Sequence, residues 1–154
     1  MTTNERPLLL CYDGSEDAKH AIREAAHLFG PRPALVLSVW QDVAAMPAFA
    51  WAGAAALPDL DEVFAAARDG AGRMAEDGAG IARAAGFEVT PVVAEATGPV
   101  WSAIVQAAEE HDAGVVVVGS RGLTGLKSVL LGSVSSGVVH HAGRPAFVVP
   151  HGSD

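Results

Sequence analysis

An α/β fold, with a parallel sheet covered by helices on both faces, is predicted by three features of this 154-residue chain. Short apolar runs alternate with longer helix-periodic stretches in the order βαβαβαβαβ. Helix-start and helix-stop residues fall at the boundaries between them. Half of the residues are hydrophobic, enough to bury one sizeable core, so residues 1–154 are expected to form one domain.

Pro7 to Tyr12 has the length and apolarity of a buried strand. It turns at Tyr12-Asp13-Gly14-Ser15, where Ser15 can cap a helix running to Phe29 and Gly30 can end it. Ala34 to Trp40 is the second strand. Gln41 to Pro58 is irregular, an alanine-rich stretch carrying Met46, Phe49 and Trp51 and broken by Pro47 and Gly53. It cannot span a bilayer, which needs about 20 predominantly apolar residues without such breaks. Either it is a loop tucked against the domain, or its apolar content makes it a lid or partner-contact surface. Asp59 to Ala85 then reads as a helix ended by Gly86, and Phe87 to Ala94 as the third strand. Gly98-Pro99 supplies a cap and a proline at the first helical position for a helix reaching His111. The fourth strand runs from Gly114 to Val118, the fourth helix from Ser133 to Ala142, and the last strand from Ala146 to Val149. That last strand lies between Pro145 and Pro150 at an edge of the proposed sheet, and an exposed edge invites pairing with another chain. Antiparallel pairing across a two-fold axis is the favoured expectation; a monomer with the edge covered by a loop is the other.

Composition narrows the function. The formal charge of −8 and the lack of a Lys/Arg run argue against DNA or RNA as partner. Met1 to Arg6 is polar and the apolar run after it is too short for a secretory signal, so a cytoplasmic location is expected, with no membrane partner. The single cysteine, Cys11, cannot form an internal disulfide, and its place in an apolar strand predicts a buried, inert thiol.

The segment Gly119-Ser-Arg-Gly122, followed by Gly132-Ser133-Val134-Ser135, carries the strongest functional signal. Glycines let backbone N–H groups approach an anion, and a helix starting near Ser133 adds unpaired N–H groups and a positive dipole end. The implied chemistry is phosphate holding. Asp13 and Gly119 both lie at carboxyl ends of strands, where ligands bind in open α/β sheets, and they could face one crevice. Asp13 either accepts hydrogen bonds from ribose or a base amino group, or only organises its turn. Arg121 could grip a phosphate in a forked geometry or be a solvated loop arginine. Lys127 reads as a surface lysine. Two dinucleotide-like runs, Gly70-Ala-Gly-Arg-Met-Ala75 and Gly78-Ala-Gly-Ile-Ala-Arg83, follow no strand; their glycines weaken a solvent-facing helix or let it pack closely on the sheet. No Ser–His–Asp assignment can be argued from spacing, Gly132 to Gly137 does not fit G-x-S-x-G, the six histidines show no metal pattern, and the Walker-type motif is absent. Catalytic and metal-ligating residues are therefore not assigned.

The run Leu8 to Ser15 (LLLCYDGS), Val39 in LVLSVW, the spacing Gly119-x2-Gly122-x9-Gly132-Ser133 and the ending His140 to Pro150 resemble the universal stress proteins over nearly the whole chain. The resemblance implies a five-stranded parallel sheet in the order 3-2-1-4-5. It also implies membership of the subgroup that keeps the glycines and binds ATP. On that resemblance Asp13 would meet the ribose or adenine side and Val39 would flank adenine. The backbone at Cys11, Tyr12 and Val118 would form part of the pocket. Gly119, Arg121 and Gly122 would surround the phosphates, and Gly132, Ser133, Val134 and Ser135 would close them from the other side. Two departures are noted: Arg121 fills a position that varies in the family, and the Tyr12 ring beside Asp13 could alter how adenine stacks. The family also implies dimers through the last strand.

The expected function is thus an ATP-binding, stress-response regulatory homodimer with little or no hydrolysis, Mg²⁺ being held through the phosphates. An adenylate-cleaving or adenylate-transferring enzyme and a nucleotide-free scaffold are the alternatives. AMP or cyclic AMP could replace ATP.

Overall fold

The computed structural model describes residues 5–42, 59–122 and 131–152. Five parallel strands form one sheet: β1 (Leu8–Cys11), β2 (Pro33–Gln41), β3 (Glu88–Ala96), β4 (Val115–Gly119) and β5 (Ala146–Val149). Their spatial order is β3-β2-β1-β4-β5, as expected. The register sets Leu9 beside Leu35 on one side and beside Val116 on the other. Four helices make the crossovers: α1 (Glu16–Phe29), α2 (Leu60–Ala84), α3 (Val100–Glu110) and α4 (Ser133–His141).

Alternation along the strands divides the core in two. Leu8, Leu10, Val36 and Val117 face α1 and α2, meeting Ala21, Ile22, Ala25, Ala79 and Ala82. Leu9, Leu37, Val116 and Val118 face α3 and α4, meeting Ile104, Ala107, Ala108 and Val138. The alanines of α2 let a long helix lie close to the sheet. Closest of all is Gly78, where a Cβ would stand 2.6 Å from the Tyr12 ring and 2.9 Å from Val36. Gly78 therefore serves helix–sheet packing, the second of the two readings left open for its run, whereas Gly80 of the same run faces solvent with nothing within 4 Å of a Cβ there.

The strand and helix boundaries lie within two residues of expectation, and those of β5 match it. The largest difference in capping is at α3, where Pro99 itself is the N-cap, with extended backbone and no side-chain cap bond. Ser15 caps α1 as expected, its Oγ accepting from Ala18 N at 3.1 Å. Gly30 ends α1 with φ 69°, and Gly86, φ 106°, follows the end of α2.

The two edge strands differ. β3 is nine residues long and carries Pro91 between Glu88 and Glu95. β5 has four residues, Ala146-Phe-Val-Val149, and Phe147 packs edge-on against Phe29. No helix among the described residues is long and apolar enough to cross a membrane. Most of the Gln41 to Pro58 segment and Lys127 lie outside the described residues; Gln41 itself ends β2.

Candidate functional site

The order 3-2-1-4-5 makes the chain leave β1 and β4 toward opposite flanks of the sheet. Such a switch point opens a crevice beyond the carboxyl ends of the two strands. A cleft of about 500 Å³ lies there. All twelve residues singled out from the sequence line it: Cys11, Tyr12 and Asp13 after β1; Val39 on β2; Val118, Gly119, Arg121 and Gly122 at the exit of β4; and Gly132, Ser133, Val134 and Ser135 at the start of α4.

The three glycines of the signature serve space, not conformation, since none has a left-handed φ. A Cβ at Gly119 would stand 3.0 Å from the backbone of Asp17 in α1. One at Gly122 would stand 3.1 Å from Asp13 Oδ2, and one at Gly132 3.3 Å from the Ser120 carbonyl. Each glycine thus lets a different neighbour close in on the cleft.

Hydrogen bonds hold the walls together. Gly132 N donates to Ser120 O at 2.7 Å, and Ser135 Oγ donates to the carbonyls of Ser120 and Gly132, both at 3.1 Å. Ser120 N in turn donates to Val149 O at 2.8 Å, tying this corner to β5. The Gly132 amide and the Ser135 hydroxyl proton are thereby engaged within the protein. The first helical bond of α4 comes from Ser136 N to Gly132 O, and Gly132 offers no side-chain cap. Among the described residues the amides of Ser133, Val134 and Ser135 therefore remain unpaired, at the positive end of a helix. Arg121 and Gly122 amides are likewise without a partner among the described residues. These amides suit an anion.

On the β1 side, Asp13 Oδ1 accepts from Ser15 N at 2.9 Å, so the turn-forming role is present. Its Oδ2 stands over Gly122, and the side chain is exposed, so one oxygen is left facing the cleft. Tyr12 is different from expectation. Its ring is buried against Gly78 and Val36, and its hydroxyl donates to Asp77 Oδ2 at 2.7 Å. With the ring taken up by α2, it is not free to stack on a base. Cys11 is partly buried, and burial, followed by the charge of Asp13, pushes its thiol from 9.0 up to about 12. It stays protonated at neutral pH and is a poor nucleophile.

Sequence reasoning missed Asp17, Ser38 and Ser120. Every buried polar residue among those described, Ser15, Asp17, Ser38, Ser120 and Ser135, belongs to the elements that meet at this end of the sheet. Ser38 Oγ donates to Tyr12 O at 2.9 Å and continues the bonding of β1 to β2 past the strand's last residue. A serine inside the apolar run Leu35 to Trp40 was the available signal. On the flanks, Ala71 and Met74 of α2 and Val100 and Ile104 of α3 supply apolar walls.

A family model described as the universal stress protein family matches residues 5–150. Universal stress protein Slr1101 of Synechocystis sp. is 49% identical over 47 residues, which are 30% of this chain and 44% of that protein. The chain thus spans less than half the length of this relative. The solved structure of protein MJ0577 superposes with a TM-score of 0.76 at 22% identity, covering 97% of this chain and 98% of that one. A universal stress protein of Archaeoglobus fulgidus, solved in complex with dAMP, superposes with a TM-score of 0.59 at 23% identity, covering 94% and 97%. At such identities the superpositions show the fold alone. Matched along nearly its whole length by the family model, the chain belongs to the universal stress protein family.

Proposed function

We propose that this chain binds an adenine nucleotide, ATP first among them, in the cleft between β1 and β4. In this reading it acts as a cytoplasmic, nucleotide-dependent regulatory homodimer with little or no hydrolysis. The observation that carries the reading is the set of unpaired amides of Ser133, Val134, Ser135, Arg121 and Gly122 around one cleft. Backbone donors and a helix N-terminus together favour a phosphate tail. The cleft volume falls within the roughly 300–1,000 Å³ of small-molecule sites. That a structurally similar family member was solved with dAMP supports an adenine nucleotide over other phosphates.

In this reading Asp13 Oδ2 receives the ribose or base side, and Val39 with the backbone of Cys11, Tyr12 and Val118 flanks the base. Gly119, Arg121, Gly122 and the start of α4 hold the phosphates, Gly132 serving by closeness and Ser135 through its amide. Magnesium, carried on the phosphate oxygens, would offset their charge in an acidic protein. Little or no hydrolysis is part of this reading: the Cys11 thiol holds its proton and is a poor nucleophile, and Asp13 has one oxygen engaged by Ser15. Dimers would form through β5, which lies at the sheet's end and pairs with no strand beyond β4 among the described residues.

The test is to denature freshly purified protein, identify released nucleotide by chromatography, and titrate the stripped protein with ATP with and without Mg²⁺. Gly122→Ala, which drives a methyl toward Asp13 Oδ2, is expected to weaken ATP binding about tenfold. No uptake of any adenine nucleotide by the wild type overturns the proposal, and multiple turnover abolished by Gly122→Ala would favour an adenylate-processing enzyme instead.

A further inference from the structure

We propose that Asp17 is a specificity-determining residue of the cleft, an internal carboxylate that holds Arg121 until a phosphate tail takes the guanidinium. Asp17 then sets how strongly the site favours nucleotides with more phosphates. This rests on the nucleotide reading above.

Asp17 sits in the first turn of α1, outside the twelve residues read from the sequence, and its side chain is only 7% exposed. A buried carboxylate needs partners. Its Oδ1 accepts from His151 Nδ1, just beyond β5. Its Oδ2 is buried with no hydrogen-bond partner among the described residues, and Arg121 Nε lies 3.8 Å away. That is an ion pair, but it is longer than a hydrogen bond. Arg121 is itself only 17% exposed, lines the cleft, and makes no hydrogen bond among the described residues. The pair is loose on both sides.

A phosphate oxygen offers Arg121 charge-assisted hydrogen bonds of about 2.7–2.9 Å, which Asp17 at its distance does not. Transfer of the guanidinium does not leave Asp17 alone, because His151 stays on the other oxygen. Nor can Asp17 follow Arg121, since its backbone is packed against Gly119 with no room for a Cβ between them. Asp17 therefore opposes phosphate binding chiefly by competing for Arg121, its negative charge nearby being the smaller addition. A nucleoside without phosphates feels neither.

The experiment is calorimetric titration of stripped wild type and Asp17→Asn with ATP, AMP and adenosine. Asp17→Asn is expected to tighten ATP about threefold or more, AMP less, and adenosine by under about twofold. In an Arg121→Gln background the same substitution is expected to change ATP affinity by less than about twofold. Unchanged or weaker ATP binding by folded Asp17→Asn overturns the proposal, as does an equal gain without Arg121. Should Asp17→Asn fail to fold, the Arg121 Nε–H resonance of the wild type decides: a shift on adding ATP and none with adenosine supports the exchange, and any other pattern overturns it. Failure of the wild type to bind any of the three ligands removes the nucleotide reading itself. ATP binding with an ATP-to-adenosine ratio indifferent to Asp17 removes only the role of Asp17.

Discussion

Two glycines of α2, two positions apart, separate what a residue does for packing from what it does for the helix. Gly78 is pressed against the Tyr12 ring, whereas Gly80 is exposed and a Cβ there would meet nothing within 4 Å. Gly78→Ala is expected to destabilise the protein by about 1–3 kcal/mol through overpacking. Gly80→Ala is expected to stabilise it by about 0.5–1 kcal/mol, because alanine restricts the unfolded chain and favours the helix. Urea unfolding of the two variants checks the opposite signs; a common sign would mean that α2 can shift on the sheet. From the sequence these glycines belonged to one repeated run, and only the neighbour distinguishes them. The same holds in the cleft. Gly119, Gly122 and Gly132 were legible as a set from their spacing, but not what each makes room for. Asp17 and Ser120 were not legible as cleft-corner residues, because nothing in their local pattern announces burial that the folded chain alone creates, whereas Ser38 left a trace as a lone serine in an apolar run.

At the scale of elements, caps were the most readable feature where a side chain makes them. Ser15 follows a strand, precedes Glu16 and Asp17, and its Oγ accepts from Ala18 N. Ser15→Ala is expected to cost about 1 kcal/mol, seen as a lower urea midpoint with an unchanged slope. A change in slope would indicate that α1 frays on its own instead of unfolding with the rest. Proline gave a less exact signal. Pro99 fits the first helical position and the N-cap almost equally well because its fixed φ suits both, so α3 starts one residue later than expected. α4 has no side-chain cap at all. Its glycine N-cap and three unpaired amides are a liability for the helix and a resource for a ligand, and binding of an anion should therefore stabilise α4 first.

For the whole molecule, alternation of apolar runs and helical patterns was enough to predict a parallel sheet with two covered faces. It does not determine strand order; that expectation came from the family resemblance, and the observed 3-2-1-4-5 agrees with it. Global stability carries a pH signature from the β1 terminus. Burial chiefly, with Asp13 second, raises the Cys11 thiol from 9.0 to about 12, and burial followed by Asp77 raises the Tyr12 hydroxyl in the same direction. Above about pH 9 the unfolded chain releases protons that the folded chain retains. Stability is then full below that pH and declines as the pH climbs toward about 12. Urea midpoints should fall between about pH 8.5 and about pH 10.5, and less steeply in Cys11→Ala. An identical slope in that variant would show that Cys11 does not contribute.

The sheet's two margins have unequal capacity for growth. β3 presents Pro91, which has no N–H to offer, between two glutamates, while β5 presents four apolar residues without a charge. A protein with two receptive margins can add copies without end, as fibrils do. With a proline interrupting one margin, any strand-to-strand association through the other would be expected to stop at two copies.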